Sequence, residues 1–135
     1  MRFDDCTVGT IFRQEFEVSD AKIRAFADMT GDNNPVHLDD AFAAGTRFQK
    51  RIAHGMLVAS FISKVLGRDF PGDGTIYLSQ QVRFRRPVFP GQTVTVEVEV
   101  LERKEEKRRL LLRTDVINPD GETVIVGQAE VMKED

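Results

Sequence analysis

In RIAHGMLVASFISKVLGRDF, residues 51–70, the side chains of Met56, Leu57, Val58, Phe61, Ile62, Val65 and Leu66 recur at helical spacing and cover more than half of a helical circumference. A helix that apolar is expected to be buried on most sides, so the rest of the chain must wrap it. The polar exceptions are Ser60, Ser63 and Lys64, and each serine has a simple structural use, a hydrogen bond back to the carbonyl four residues earlier. The helix reads as beginning near His54 and Gly55.

The C-terminal half of the chain supplies the wrapping. Ile76–Phe84, Thr93–Leu101, Leu110–Val116 and Thr123–Met132 carry a strand-like period of two and read as consecutive antiparallel strands. RPVFPGQ, the charged ERKEEKRR and Asn118-Pro119-Asp120-Gly121 mark the reversals between them. Upstream, Ile11 to Val18 alternates well enough for one more strand, with Gly9 before it as a turn residue. Ser19 fits as the N-cap of a helix through DAKIRAFADMTGD, with Ile23, Phe26, Ala27 and Thr30 at helical spacing and Gly31 at the stop. Pro35 pushes Asn34 away from helical angles, so residues 31–38 are expected to be loop, and Asp39 or Asp40 caps a short turn through AFAAGT.

One strand, a helix pair, one nearly all-apolar helix and four antiparallel strands make an α+β order. A strongly twisted antiparallel sheet curling around the long helix is the hot-dog arrangement. It leaves an edge strand open, and pairing into a homodimer would cover that edge; whether dimers assemble further is left open. A ferredoxin-like fold would need a second long helix between the later strands, and there is none. With no internal repeat and no low-complexity segment, residues 1–135 read as one domain.

Composition narrows the function classes. Hydrophobic residues at 41% and charged residues at 30% describe an ordinary globular chain. A net charge of −3 argues against a general electrostatic grip on nucleic acid. No apolar run approaches the roughly 20 residues that span a bilayer, and MRFDDCTVGT lacks the charged-then-apolar order of a signal peptide, so a cytoplasmic location is expected and no membrane partner. Cys6 is the only cysteine, which excludes an intrachain disulfide or a Cys-based zinc site within one chain.

The chemistry is concentrated in TGDNNPVHLDD, Thr30 to Asp40. Asp32 and His37 lie five residues apart across a bend at Pro35, so their side chains can converge on one water. A carboxylate accepts a proton, an imidazole accepts or donates one near neutral pH, and the Asn34 amide is able to orient the pair. Asp, Asn and Pro also belong in any turn, so structural use of Asp32 and Asn34 is the competing reading. At His54-Gly55 the free N–H groups and dipole of a helix start favour a developing oxyanion, and glycine allows close substrate approach. His54 reads equally as a neutral residue packed at that helix start.

FADMTGDNNPVHLDDAFAAGTRFQKRIAHGMLVASF, together with PGDGTIYLSQQVRFRRPVFPGQTVTVEVEV, resembles the MaoC-like (R)-specific enoyl-CoA hydratases of the hot-dog superfamily over essentially the whole chain. The most specific element is Asp-x-Asn-Pro-x-His, present as Asp32, Asn34, Pro35 and His37, coupled to His54-Gly55-Met56. The resemblance implies that Asp32 and His37 bind and activate water, that the Gly55 N–H polarises the thioester carbonyl, and that Ser63 supports the catalytic histidine. It implies reversible hydration of trans-2-enoyl-CoA to (R)-3-hydroxyacyl-CoA. No metal and no redox cofactor is expected, in keeping with the lack of a metal-ligand cluster or a GxGxxG fingerprint.

An acyl chain lying along the long helix would meet His54, Met56, Leu57, Phe61 and Leu66. Arg83 and Arg85, on the face away from Val82 and Phe84, suit the phosphates of coenzyme A or of an acyl carrier protein's prosthetic arm, and suit a solvated strand face equally well. Two rival functions stand beside hydration: a hot-dog thioesterase, in which water attacks the thioester carbonyl, and a non-catalytic subunit that binds acyl thioesters. The helix-start glycine suits both enzymes, whereas the Asp32/His37 pair favours hydration.

Overall fold

The computed structural model describes residues 1–135. The chain runs through β1 (Ile11–Glu17), α1 (Asp20–Thr30), α2 (Pro35–Leu38), α3 (Asp40–Ala44), α4 (Gly55–Arg68), β2 (Ile76–Phe84), β3 (Thr93–Lys104), β4 (Arg109–Ile117) and β5 (Thr123–Met132), with 3-10 turns at Phe3–Asp5 and Glu105–Lys107. Helix ends obey side-chain chemistry. Ser19 is extended and its Oγ accepts the Lys22 N–H at 3.2 Å, while Gly31 ends α1 in the left-handed region at φ 82°. Of the two candidate caps for α3 it is Asp39 that serves, its carboxylate taking the N–H groups of Ala41 and Phe42.

The expectation of loop through residues 31–38 is corrected at its end: residues 35–38 form the single turn α2. Asn34 does stay out of helical angles, at φ −51° and ψ 126°, because it is the cap. Pro35 then sits at the first helical position, where its missing N–H costs nothing and its ring already holds a helical φ.

All five strands pair antiparallel in the order β1-β3-β4-β5-β2. β3, β4 and β5 lie side by side in chain order as expected, but β2 does not pair with β3. Both sides of β3 are occupied by β1 and β4, so β2 takes the free side of β5 and becomes an edge. The alternation runs the whole length of β4 and through Val100 in β3, where a register shift ends it. Val94, Val96, Val98 and Val100 with Leu110, Leu112 and Val116 are buried in the same core as Leu57, Val58, Phe61, Ile62, Val65 and Leu66 of α4. The sheet therefore packs one apolar face on the long helix, as the hot-dog reading requires. Deleting one of these side chains, for instance Leu112→Ala, is worth about 2–5 kcal/mol.

Two expectations about burial need correction. α4 is not closed on most sides: Met56, Ser60, Ser63, Lys64 and Gly67 form an exposed stripe, and Met56 is 60% exposed. The spacing of that stripe explains why the polar residues of the helix fall where they do. Second, β2 contains no buried residue, and its Ile76, Tyr77, Leu78 and Phe84 are exposed large hydrophobics. No helix is long and apolar enough to cross a membrane.

Candidate active site

The segment between α1 and α4 is folded by its own short-range bonds. Thr30 Oγ1 donates to the Phe26 carbonyl and accepts the Asp32 N–H at 3.1 Å, Asp32 Oδ1 accepts the Asn34 N–H at 3.4 Å, and Asn34 Oδ1 accepts the Val36 N–H at 3.2 Å. Each bond starts the next turn, and the series delivers His37 to the first helical turn after the bend. Returning past it, residues 51–54 are tied back: the Ile52 N–H donates to Val36 and the Ala53 N–H to Val88.

His37 is 8% exposed, and its Nδ1 lies 2.8 Å from the Ile52 carbonyl. A carbonyl only accepts, so Nδ1 carries the proton and Nε2 is left with its lone pair. Burial pushes the His37 pKa below its ordinary value and the nearby His54 adds to this, while the Ile52 carbonyl and Asp32 pull the other way. His37 is accordingly a neutral imidazole at pH 7. His54, 2% exposed, caps α4 in an extended conformation and points Nε2 at the backbone carbonyl of Asp32, 2.9 Å away. Its ring lies 3.9 Å from the His37 ring and 4.8 Å from Phe26, centroid to centroid. His54 thus touches both members of the acid–imidazole pair.

Asp32, His37 and His54 each place a nitrogen or carboxylate oxygen within 4.8 Å of the others. One water making two hydrogen bonds of about 2.8 Å at a tetrahedral angle spans about 4.6 Å, so the Asp32 carboxylate and a His37 nitrogen are spaced for a single shared water. These three side chains are also the ones that would hold a divalent ion. For that use one nitrogen of each ring is already taken, His37 Nδ1 by the Ile52 carbonyl and His54 Nε2 by the Asp32 carbonyl.

The pair opens into a cleft of about 480 Å³ also lined by Arg47, Phe48, Gly55, Met56, Val58, Phe84, Arg85, Val88 and Ile125. Gly55 is the first residue of α4, and no group of the protein accepts its N–H. With the helix dipole behind it, that N–H is a ready donor to an anionic oxygen. The need for glycine is steric: a Cβ here would stand 2.7 Å from the Phe84 ring.

The residues named from sequence separate into those the fold brings together and those it does not. Asp32, His37, His54, Gly55, Met56 and Arg85 line the cleft. Asn34 acts on the pair only through α2, since its side-chain oxygen is given to Val36. Leu57, Phe61 and Leu66 are core residues outside the cleft, with Phe61 stacked on Phe16 at 4.6 Å. Arg83 lies in a neighbouring polar groove along β2 that it shares with Arg85. Ser63 is on the exposed stripe, about 12 Å along the helix from Gly55 at 1.5 Å per residue, and does not line the cleft. The same helical geometry that makes its position look inward from the sequence turns it outward in the fold. Arg47, Phe48 and Phe84 join the cleft without a motif to announce them; for Phe84 the clue is its place two residues beyond Val82 on a period-two strand, which aims it at the helix start.

The model of the MaoC like domain matches residues 7–118. The chain belongs to the MaoC-like domain family. Among MaoC-like proteins it is 47% identical over 111 residues to an (R)-specific enoyl-CoA hydratase of Aeromonas caviae, an alignment that covers 82% of this chain and 83% of the relative. It is 45% identical over 128 residues to a 3-hydroxybutyryl-CoA dehydratase of Methylorubrum extorquens, covering 91% and 82%. The unliganded R-hydratase of Pseudomonas aeruginosa superposes with a TM-score of 0.93 at 43% identity, over 98% of this chain and 84% of that one.

Proposed function

We propose that this MaoC-like chain is a lyase that adds water to trans-2-enoyl-CoA to give (R)-3-hydroxyacyl-CoA and runs the reverse dehydration. The observation that carries the reading is the Asp32 carboxylate and His37 imidazole, spaced for one water, in a cleft beside the unpaired Gly55 N–H. Its relatives, named for the two directions of this reaction, support it.

In the forward direction the water held between Asp32 and His37 attacks C3. One of the two groups takes a proton from the water, the electron pair of the C2–C3 double bond moves toward the thioester, and negative charge collects on the carbonyl oxygen. The Gly55 N–H meets that oxygen; a donor placed this way is worth about 3 kcal/mol of barrier. The enolate then collapses as the proton taken from the water is passed on to C2 on the same face, which restores the base. The depressed pKa of His37 keeps its Nε2 lone pair available at neutral pH.

Arg47 and Arg85 have no carboxylate partner and stand in the cleft wall, where they suit the phosphates of coenzyme A or of an acyl carrier protein's arm. The same proposal has residues 1–135 acting as one domain in the cytoplasm and as a homodimer. The open side of β2, with its exposed Ile76, Tyr77 and Leu78, is a strand edge of the kind that a second copy covers.

Crotonyl-CoA separates this reaction from thioester hydrolysis. The expected result is loss of enoyl absorbance with no release of free thiol; thiol release in step with substrate loss would make the protein a thioesterase.

A further inference from the structure

α2 is too short to hold its own shape. It is one turn of four residues, closed by the Asp39 N–H on the Pro35 carbonyl, and isolated helices of that length are unstable in water. Yet it carries His37, whose ring must stay in register with Asp32 to share a water. Something outside α2 has to fix it.

Arg51 is placed to do so. Its side chain is 15% exposed, and its guanidinium reaches three helices at once. One terminal nitrogen donates to Asp20 Oδ1 at 2.6 Å and to the main-chain carbonyl of His37 at 3.2 Å, and Nε donates to Asp40 Oδ1 at 2.8 Å. Asp20 opens α1 and Asp40 opens α3, so the two carboxylates anchor the guanidinium against neighbouring elements while it holds the C-terminal turn of α2. A cation suits that end of a helix. The next residue completes the grip: the Ile52 N–H binds the Val36 carbonyl, and the Ile52 carbonyl takes the His37 Nδ1 proton. Backbone and ring of His37 are therefore held by two consecutive residues.

We infer that Arg51 is a positioning residue for His37: it touches no reacting atom, and it sets the height and tilt of the imidazole by clamping α2 to α1 and α3. The inference rests on the hydration reading. Planar geometry makes arginine specific here, because a lysine ammonium offers no fork to span Asp20, Asp40 and the His37 carbonyl.

The test compares Arg51→Lys, Arg51→Met and His37→Gln in the full chain. With crotonyl-CoA, Arg51→Met is expected to lose about 10- to 100-fold in kcat, the scale of a misplacement near 1 Å, with KM within about twofold of wild type. Arg51→Lys keeps the charge and falls between. In 15N-labelled protein the His37 Nδ1–H resonance, sharp in the wild type, is expected to broaden or vanish in both Arg51 variants. Should Arg51→Met not fold, Arg51→Lys decides alone: wild-type kcat together with an unaltered Nδ1–H signal overturns the inference. The two proposals fail separately. Turnover in His37→Gln would sink the hydration reading itself, whereas a dead His37→Gln beside a fully active Arg51→Lys would sink only the role of Arg51.

Discussion

The outer face of β3 and β4 and the cleft at the start of α4 use similar polar residues to opposite ends. On the outer face most charges answer another, Glu102 and the buried Nε of Arg109 being the exceptions. Arg113 binds Glu97, Glu99 and Asp115 at 2.9–3.0 Å, Glu97 also binds Arg13 at 2.6 Å, and Lys104 and Arg109 share Glu130. In the cleft, by contrast, the Asp32 carboxylate has only the Asn34 N–H, the Gly55 N–H has no acceptor, and the buried Nδ1 of His54 has no partner. Buried polar groups are nearly always satisfied within a protein, so the unpaired His54 Nδ1 is the cleft's exception, while Asp32 is exposed and Gly55 half-buried, both open to whatever enters. The first region is structure. The second leaves hydrogen-bonding capacity free, as the proposed substrate site requires.

That contrast makes graded predictions. The largest effect belongs to the cleft: Asp32→Asn and His37→Gln each lower crotonyl-CoA hydration by at least about a hundredfold, the scale of a positioned acid or base, with melting temperatures near the wild-type value. A steady-state assay giving turnover within tenfold of wild type in either variant would erase the distinction between the regions. Next is Gly55→Ala, whose methyl strikes the Phe84 ring. It is expected to cost about tenfold in kcat, and Phe84→Leu in the same chain restores part of the loss by making room. If the double variant is no better than Gly55→Ala, the Phe84 ring is not what demands glycine.

pH probes the cleft more gently. Because burial depresses the His37 pKa, the imidazole stays neutral below pH 6.5, and the acid limb of kcat/KM should fall there rather than above it. The sign for stability comes from the same shift. A histidine whose folded pKa lies below its unfolded value supports the fold above about pH 6.5 and loses that contribution as pH falls toward the folded value. Thermal melts should therefore show wild type losing ground to His37→Gln on acidification; parallel curves would contradict the buried, neutral assignment. Smallest of all is the outer face. Arg113→Met should leave kcat and KM unchanged and cost about 1.5–3 kcal/mol in denaturant titration, since it leaves the largely buried Glu97, Glu99 and Asp115 without the cation they share.

The same contrast accounts for what is readable in the sequence. Alternation in β3 and β4 predicts their buried valines and leucines because both strands have neighbours on either side and one face on the helix. It fails for β2, which looks like a half-buried strand but becomes an edge through the pairing order, a long-range fact that no local period contains. That Asp32, His37 and Gly55 share one cleft is legible because it depends on a short bend and a helix start, both local. Ser63, Leu57, Phe61 and Leu66 fall outside the cleft for the opposite reason: helical spacing tells which residues share a face, not which face looks into the cleft. Arg51 goes unmarked in RIAHGML because its partners Asp20 and Asp40 are 31 and 11 residues away.

Stereochemistry in heavy water speaks most directly to the proposal that Asp32 and His37 hold one water between them. Hydration of crotonyl-CoA in D2O is predicted to yield 3-hydroxybutyryl-CoA of R configuration at C3, carrying one deuterium at C2 on the same face as the new hydroxyl. A product of S configuration, or deuterium on the opposite face, would contradict the account.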